Sequence, residues 1–316
     1  MNKKAYKIYI ADCVADGGIY LYDFANGALT EKQKLPLCRP MYLAIEKEKL
    51  YAVLRAPFDG SNISGILSLD IGSDGTLLNR SGIISTDGSV CCHLCVKNGQ
   101  VFDANYISGS LNKLGVKTVT HTGHGVNPVR QDTPHVHFTN FSPDGKYILS
   151  CDLGIDTVFV YDFDLNEVSR ARVPDGHGVR HLAYSGNTVY AVNELKSTVS
   201  VFDYRCGILK YVTTVNALPD GFKGENTAAA IRVSGDRLYI SHRGFDGICI
   251  FDISEKIPKL INAFKSGGKS PRDFIIVDKY IIVTNESGEV CVFDKEYYKL
   301  LQTVNLISPL CAVCND

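Results

Sequence analysis

The stretch PHVHFTNFSPDGKYILSCDLGIDTVFVYDFD, residues 134–164, carries the pattern that decides the fold. A first apolar run leads to the turn sequence Pro143-Asp144-Gly145, a second run follows it, and a third run comes after a polar loop. Pro-Asp-Gly favours a tight turn, and short runs rich in aromatic and β-branched residues are typical of strands. The stretch therefore predicts neighbouring antiparallel strands joined by short turns.

The same layout recurs along the chain: an apolar run, a polar loop with Asp, Asn or Gly, and a second run that ends near an aspartate. Five copies are close and two, at residues 50–71 and 101–116, are looser. The copies lie at residues 9–24, 50–71, 101–116, 147–163, 189–204, 238–253 and 281–295. Self-similarity of this kind indicates a repeat architecture.

The spacing of the repeats predicts the number and kind of units. Another short strand precedes each copy, and equivalent positions in these strands are 41, 92, 137, 180, 229, 272 and 309. Their separations range from 37 to 51 residues and average about 45, the length of a four-stranded propeller blade. Helix-period patterns are almost absent. We therefore predict an all-β, seven-bladed β-propeller of four-stranded antiparallel blades, with residues 1–316 as a single domain.

The two ends of the sequence complement each other. SPLCAV, residues 308–313, resembles the first strand of a blade, whereas YKIYIADC, residues 6–13, opens at the second-strand position. Both termini are expected to complete the last blade, which would remove an exposed sheet edge.

Composition excludes some classes of partner. The 33 basic and 34 acidic residues give a net charge of −1, with no electrostatic signature of nucleic-acid or membrane binding. No run is long enough to span a membrane, and no apolar leader follows MNKKAYK. With an odd count of 11 cysteines, which suits free thiols, these features favour the cytoplasm.

Two CxxC pairs, Cys92/Cys95 and Cys311/Cys314, have a spacing that zinc sites use. Both lie in strand-like contexts, in which residues three apart point to opposite faces. We therefore expect no metal and no cofactor.

Topology predicts where a site would form. In an antiparallel meander, the start of the first strand and the loop between the second and third strands lie at the same edge, so these positions ring one mouth of the channel. The ionisable residues they bring together are His137, Arg180, Glu194, Arg243 and Arg272. Three arginines and a carboxylate around a histidine can bind an anion and transfer protons. Taken singly, each of these side chains could instead hydrogen-bond a neighbouring blade.

At these residues the sequence resembles the seven-bladed lactonase family, which includes the propeller type of 6-phosphogluconolactonase and the carboxy-cis,cis-muconate lactonizing enzyme. The resemblance is strongest over residues 134–295. It is carried by residues 134–164, by VRHLAYSGNTVYAVNELKSTVSVFDY, by SHRGFDGICIFDI and by SPRDFIIVDKYIIVTNESGEVCVF.

The resemblance implies catalytic roles for four residues, His137, Arg180, Glu194 and Arg243. The substrate contacts predicted beside them are Arg272, His135, Asn193 and His181, with Lys196 or Lys269 near Arg272 as further phosphate contacts. The family's usual Gly-Pro-Arg-His reads Gly178-Val179-Arg180-His181 here. The first three blades match the family poorly.

The implied activity is hydrolysis of an anionic sugar lactone, most specifically 6-phosphogluconolactone, a reaction of the pentose phosphate pathway. One of His137 and Glu194 would act as general base and the other as acid, while Arg180 and Arg243 stabilise the oxyanion. Two alternatives stay open: a muconate-type lactonizing enzyme and a non-enzymatic interaction propeller. The sequence leaves the oligomeric state open.

Overall fold

The structure is a computed structural model that describes residues 5–58 and 60–315. Its regular elements are 29 strands. The first eight are β1 (Tyr6–Asp12), β2 (Gly18–Ala25), β3 (Ala28–Pro36), β4 (Pro40–Glu46), β5 (Lys49–Leu54), β6 (Ile63–Ile71), β7 (Leu77–Leu78) and β8 (Ile84–Ser89). The next eight are β9 (Cys91–Lys97), β10 (Gln100–Asn105), β11 (Ser110–Lys113), β12 (Lys117–Thr120), β13 (Val136–Phe141), β14 (Ile148–Asp152), β15 (Thr157–Tyr161) and β16 (Glu167–Arg172). The remaining strands are β17 (Val179–Ser185), β18 (Thr188–Asn193), β19 (Thr198–Arg205), β20 (Ile208–Asn216), β21 (Thr227–Ser234), β22 (Arg237–Arg243), β23 (Gly247–Asp252), β24 (Lys259–Lys265), β25 (Pro271–Val277), β26 (Tyr280–Asn285), β27 (Glu289–Asp294), β28 (Leu300–Asn305) and β29 (Pro309–Asn315).

These strands form seven antiparallel sheets, the blades of a propeller. Blade 1 has the order β29-β1-β2-β3, so its inner strand comes from the C-terminal end of the chain. Blades 2 to 7 begin with inner strands β4, β9, β13, β17, β21 and β25. The predictions of seven blades and of a blade closed by both termini are confirmed.

Blade 2 departs from the regular pattern at its outer edge. Two short strands, β7 and β8, replace a single outer strand, and each pairs with β6. The chain between them includes Asn79 in a left-handed conformation, with φ 44°.

The apolar core is divided among the contacts between neighbouring blades. The cluster that contains Phe138, Val160 and Phe202 joins blades 4 and 5. The cluster that contains Ile8 and Val292 joins blade 7 to blade 1 and so closes the ring. Strands such as β14 and β15 are buried along their whole length because blades cover both of their faces.

A β-bulge interrupts the inner strand of six blades near its start. In blade 4, Val136 pairs with Asp152 and Phe138 with Cys151, so His137 has no partner across the strand. The corresponding unpaired residues of the other five blades are Met41, Cys92, Arg180, Arg272 and Leu310. In blade 6 the register shifts between Ala228 and Ile231. The predicted ring position in blade 1 is therefore Leu310 and not Pro309.

Within residues 5–58 and 60–315 there is no helix of the length and apolar character that a membrane span needs. The cytoplasmic location and the single domain stay predictions.

Candidate active site

The centre of the candidate site is the Glu194 carboxylate, which three arginines share. Oε1 accepts a hydrogen bond from Nη2 of Arg130 at 2.6 Å. Oε2 lies 2.9 Å from Nε of Arg180 and 2.9 Å from Nη2 of Arg243. Glu194 and Arg180 are almost completely buried, with side-chain exposures of 4% and 2%. Three guanidinium groups around one carboxylate leave an excess of positive charge, which suits an anionic ligand.

The charges around Glu194 outweigh the effect of its burial. Burial alone would raise the pKa of this carboxyl group, but the cations of Arg243, Arg180 and Arg130 hold it well below its ordinary value. Glu194 is therefore a carboxylate at neutral pH and has no proton to donate.

The second titratable group of the site is His137. Its side chain is buried, and its Nδ1 has no hydrogen-bond partner in the protein. Burial and the positive charge of Arg180 hold the pKa of His137 well below its ordinary value, although Glu194 acts in the opposite direction. The imidazole is thus neutral at neutral pH.

Local sequence places Arg180 at the mouth of the channel. Gly178 has a left-handed backbone, with φ 67°, and a Cβ at this position would lie 2.5 Å from the Leu195 side chain. Its N–H donates to Oδ1 of the buried Asp156 at 2.6 Å, and the bulge after Val179 turns Arg180 inward. Burial lowers the pKa of Arg180 to about 9, so the guanidinium stays charged at neutral pH.

The remaining predicted arginines also lie at this mouth. Nη2 of Arg243 donates to the Ala228 carbonyl at 3.3 Å, in addition to its contact with Glu194. Arg272 lies 3.6 Å from Glu286, and its side chain is 19% exposed. Arg180 and Arg272 line the same narrow cavity of about 10 Å³. Lys196 and Lys269, the further phosphate candidates, are exposed on the surface.

His135 lies beside the site and packs against blade 3. Its ring stacks on Tyr106, with centroids 4.3 Å apart, and its Nδ1 lies 2.9 Å from the Tyr106 carbonyl. Its Nε2 is 3.4 Å from Asp132. The rings of Tyr106 and His137 also pack edge to face, with centroids 5.6 Å apart. His135 and Tyr106 thus hold one wall of the site next to His137.

Two predicted substrate contacts, Asn193 and His181, lie below the mouth. Asn193 is fully buried, and its amide donates to the hydroxyls of Thr198 and Ser200 within its own blade. His181 lies deeper in the channel, where its ring packs against His137 at 5.2 Å and His93 at 5.1 Å. The geometry gives Asn193 a structural role and makes His181 part of the floor.

Two residues of the site, Arg130 and Tyr106, were missed by the sequence analysis. Arg130 lies in the connection 121–135 between β12 and β13, which is longer than the equivalent connections of the other blades, so periodicity gives no signal for it. Tyr106 directly follows Asn105, the last residue of β10, and so lies in the loop between the second and third strands of blade 3. Nη2 of Arg130 donates to the Tyr106 hydroxyl at 3.3 Å, which links the two residues.

A larger cavity of about 500 Å³ opens at the opposite mouth, near the ends of the inner strands. Its arginine, Arg232, is paired with Asp273 at 2.6 Å, so this end lacks the excess positive charge found around Glu194. We place the candidate site at the smaller opening, where His137, Glu194 and the arginines converge. Within the described residues, no three His, Cys, Asp or Glu side chains converge as metal ligands.

Comparisons with known proteins agree with this architecture. Residues 7–306 match the family described as Lactonase, 7-bladed beta-propeller. An uncharacterized protein of Staphylococcus saprophyticus is 32% identical over 300 residues, 86% of each chain. A crystal structure from Lactobacillus plantarum superposes with a TM-score of 0.89 at 27% identity and covers 99% of this chain and 100% of its own. The periplasmic gluconolactonase PpgL of Pseudomonas aeruginosa has a TM-score of 0.88 at 25% identity, with 98% and 99% covered. By its fold, its blade count and this match, the chain belongs to the seven-bladed β-propeller lactonase family.

Proposed function

We propose that the protein hydrolyses an anionic sugar lactone, with 6-phosphogluconolactone as the most specific candidate. The observation that carries the proposal is a neutral, buried imidazole, His137, beside a carboxylate that three arginines share. The family membership and the similarity to a gluconolactonase support the same class of reaction.

The arginines supply the electrostatic part of the reaction. Attack of water on a lactone carbonyl produces a tetrahedral oxyanion, which fixed positive groups stabilise as its charge develops. Arg180 and Arg243 already face this region and are held in place by Glu194. Glu194 thus orients the guanidinium groups and partly balances their charge.

His137 supplies the proton transfers. It takes a proton from water as the water oxygen bonds to the carbonyl carbon, and the resulting imidazolium is stabilised by the nearby Glu194 carboxylate. When the bond between the carbonyl carbon and the ring oxygen breaks, the same proton passes to that oxygen. Because the pKa of Glu194 is low, we assign both proton transfers to His137 and not the donation step to Glu194.

The substrate class can be tested with a panel of freshly prepared lactones. Rates above spontaneous hydrolysis would be measured for 6-phosphogluconolactone, gluconolactone and a carboxymuconolactone. We expect the phosphorylated sugar lactone to give the highest kcat/KM. Preference for the carboxymuconolactone would favour a muconate-type enzyme, and a lack of acceleration for all three would favour a non-enzymatic propeller.

A further inference from the structure

A second group of arginines lies across the channel mouth from Glu194. Arg39 precedes the inner strand β4 of blade 2, and Arg55 follows the second strand β5 of the same blade. Arg272 is the second residue of β25 in blade 7. All three positions are at the edge of the sheets that carries Glu194. We call Arg39, Arg55 and Arg272 the arginine arc.

The ring geometry sets the arc opposite the reacting groups. In a ring of seven blades, blade 1 faces the gap between blades 4 and 5. The arc occupies blades 7 and 2, on either side of blade 1, whereas His137 and Arg180 belong to blades 4 and 5. Arg272 nevertheless lines the same narrow cavity as Arg180, so the two groups of arginines approach each other at the floor of the mouth.

Backbone hydrogen bonds connect the segments that carry Arg39 and Arg55 to blade 1. The N–H of Arg55 donates to the carbonyl of Arg39 at 2.9 Å, and the N–H of Arg39 donates to the carbonyl of Val14 at 2.9 Å. Cys13 in turn donates its N–H to Ser308 at 2.9 Å, next to β29. Blades 1 and 2 therefore hold the two exposed arginines on one hydrogen-bonded frame.

The arc has more positive charge than its surroundings neutralise. Within the described residues, no carboxylate forms an ion pair with Arg39 or Arg55, and both side chains are exposed. Arg272 has a distant partner in Glu286, at 3.6 Å. The nearby Asp12 is buried, and its Oδ1 accepts the N–H of Ser308 at 2.6 Å and that of Ile307 at 3.3 Å.

All three arginines of the arc influence the pKa of one group at the mouth, the Cys13 thiol. Burial raises the pKa of the Cys13 thiol to about 11, while Arg55, Arg272 and Arg39 each act to lower it. The deeper Cys92 is influenced by Arg180, Arg272 and Arg55 together. Two arginines of the arc, Arg55 and Arg272, thus influence the same thiol as Arg180 does.

We propose that Arg39, Arg55 and Arg272 form a subsite for the phosphate of a phosphorylated sugar lactone whose carbonyl lies at His137 and Arg180. This assignment rests on the lactonase function proposed above. In the six-membered ring of such a lactone, one oxygen and one carbon separate the carbonyl carbon from the carbon that carries the phosphate, so both groups must bind close together. Arg180 and Arg272, which line the same narrow cavity, bring the two arginine groups together in this way. A phosphate monoester carries nearly two negative charges at pH 7, and guanidinium groups bind its oxygens in pairs of hydrogen bonds.

The test compares substrates that differ by the phosphate. For Arg55→Ala and Arg39→Ala we expect the ratio of kcat/KM for 6-phosphogluconolactone over that for gluconolactone to fall by about 10- to 100-fold, because a charge-assisted contact is lost. Arg205→Ala is the matched control, since Arg205 is exposed at the end of β19, on the opposite edge of the blades. An unchanged ratio in both arc variants would overturn the subsite.

Binding of the product keeps the subsite testable apart from turnover. By calorimetry, 6-phosphogluconate should bind the wild-type protein, and its Kd should rise at least about tenfold in Arg55→Ala but not in Arg205→Ala. Equal affinity in the wild type and both arc variants would contradict the subsite. An equal dependence of gluconate binding on Arg55 would also contradict it, because the arc would then recognise the carboxylate. If the wild-type protein hydrolyses no lactone but its binding of 6-phosphogluconate still depends on the arc, the lactonase function is wrong and the phosphate subsite is supported.

Discussion

At the scale of single residues, the site depends on the different states of His137 and Glu194. Both are buried, yet burial favours the neutral form of the histidine, while three guanidinium groups keep the glutamate ionised. At neutral pH the two therefore form a neutral base beside a fixed anion. This arrangement suits a base that becomes positively charged during the reaction.

The pH dependence of the reaction should report His137. Because its folded-state pKa is well below 6.5, the base stays unprotonated as pH falls to 6.5, and kcat/KM should decline only at lower pH. Glu194 acts to raise the pKa of His137, so Glu194→Gln should move this acid limb to still lower pH while lowering the maximum. The measurement is a kcat/KM profile of both proteins from pH 4.5 to 7.5, corrected for spontaneous hydrolysis. An acid limb above pH 6.5 in the wild type, or a shift to higher pH in Glu194→Gln, would contradict the assignment.

At the scale of the elements, bulges and buried aspartates aim the side chains of the inner strands. A bulge removes one residue from the strand pairing and lets its side chain face the mouth, as at His137 and Arg180. Two buried carboxylates then fix the chain that enters the inner strands of blades 4 and 5. Asp152 accepts the N–H of His135 at 2.7 Å, and Asp156 accepts those of Gly176 and Gly178 at 2.7 and 2.6 Å.

Loss of the Asp156 carboxylate should destabilise the protein. Asp156→Ala leaves two buried N–H groups without acceptors, which should lower the free energy of unfolding by about 2–4 kcal/mol; Asp156→Asn keeps one acceptor and should lie between. Asp278→Ala is the matched control, because Asp278 has the same φ of 53° but is exposed. Urea unfolding of the three variants and the wild type measures the difference. Equal stability of Asp156→Ala and Asp278→Ala would show that the carboxylate does not hold the loop.

The strand pattern was predictable because each blade repeats the same sequence layout. Repeat spacing placed His137, Arg180 and Arg272 at equivalent positions, and all three are the bulged residues. Arg130 was not predictable, since it lies in the added length of one connection and its contact with Glu194 reaches another blade. The inward turn of Asn193 was missed for another reason: an amide at a mouth position can bond either to a ligand or to its own blade, and Thr198 and Ser200 supply the partners here.

At the scale of the whole molecule, ring closure creates the site. Glu194 and Arg180 come from blade 5, Arg243 from blade 6, His137 from blade 4, and Arg130 from the connection between blades 3 and 4. No single blade contains the site, and β29 pairs with β1 to complete the ring that holds them together. The opposite side of the mouth belongs to blades 7, 1 and 2, and the arginine arc lies there. Blades 1 and 2 are among the early blades, where the resemblance to the family was weakest.

The most direct test of the proposed lactonase is the rate of 6-phosphogluconolactone hydrolysis by the wild-type protein and by His137→Ala. His124→Ala provides the matched control, because His124 is exposed in the same connection that carries Arg130. We predict hydrolysis above the spontaneous rate for the wild type and the control, and a loss of about 10²- to 10⁴-fold in kcat for His137→Ala. A wild-type rate equal to the spontaneous one, or full activity in His137→Ala, would contradict the account.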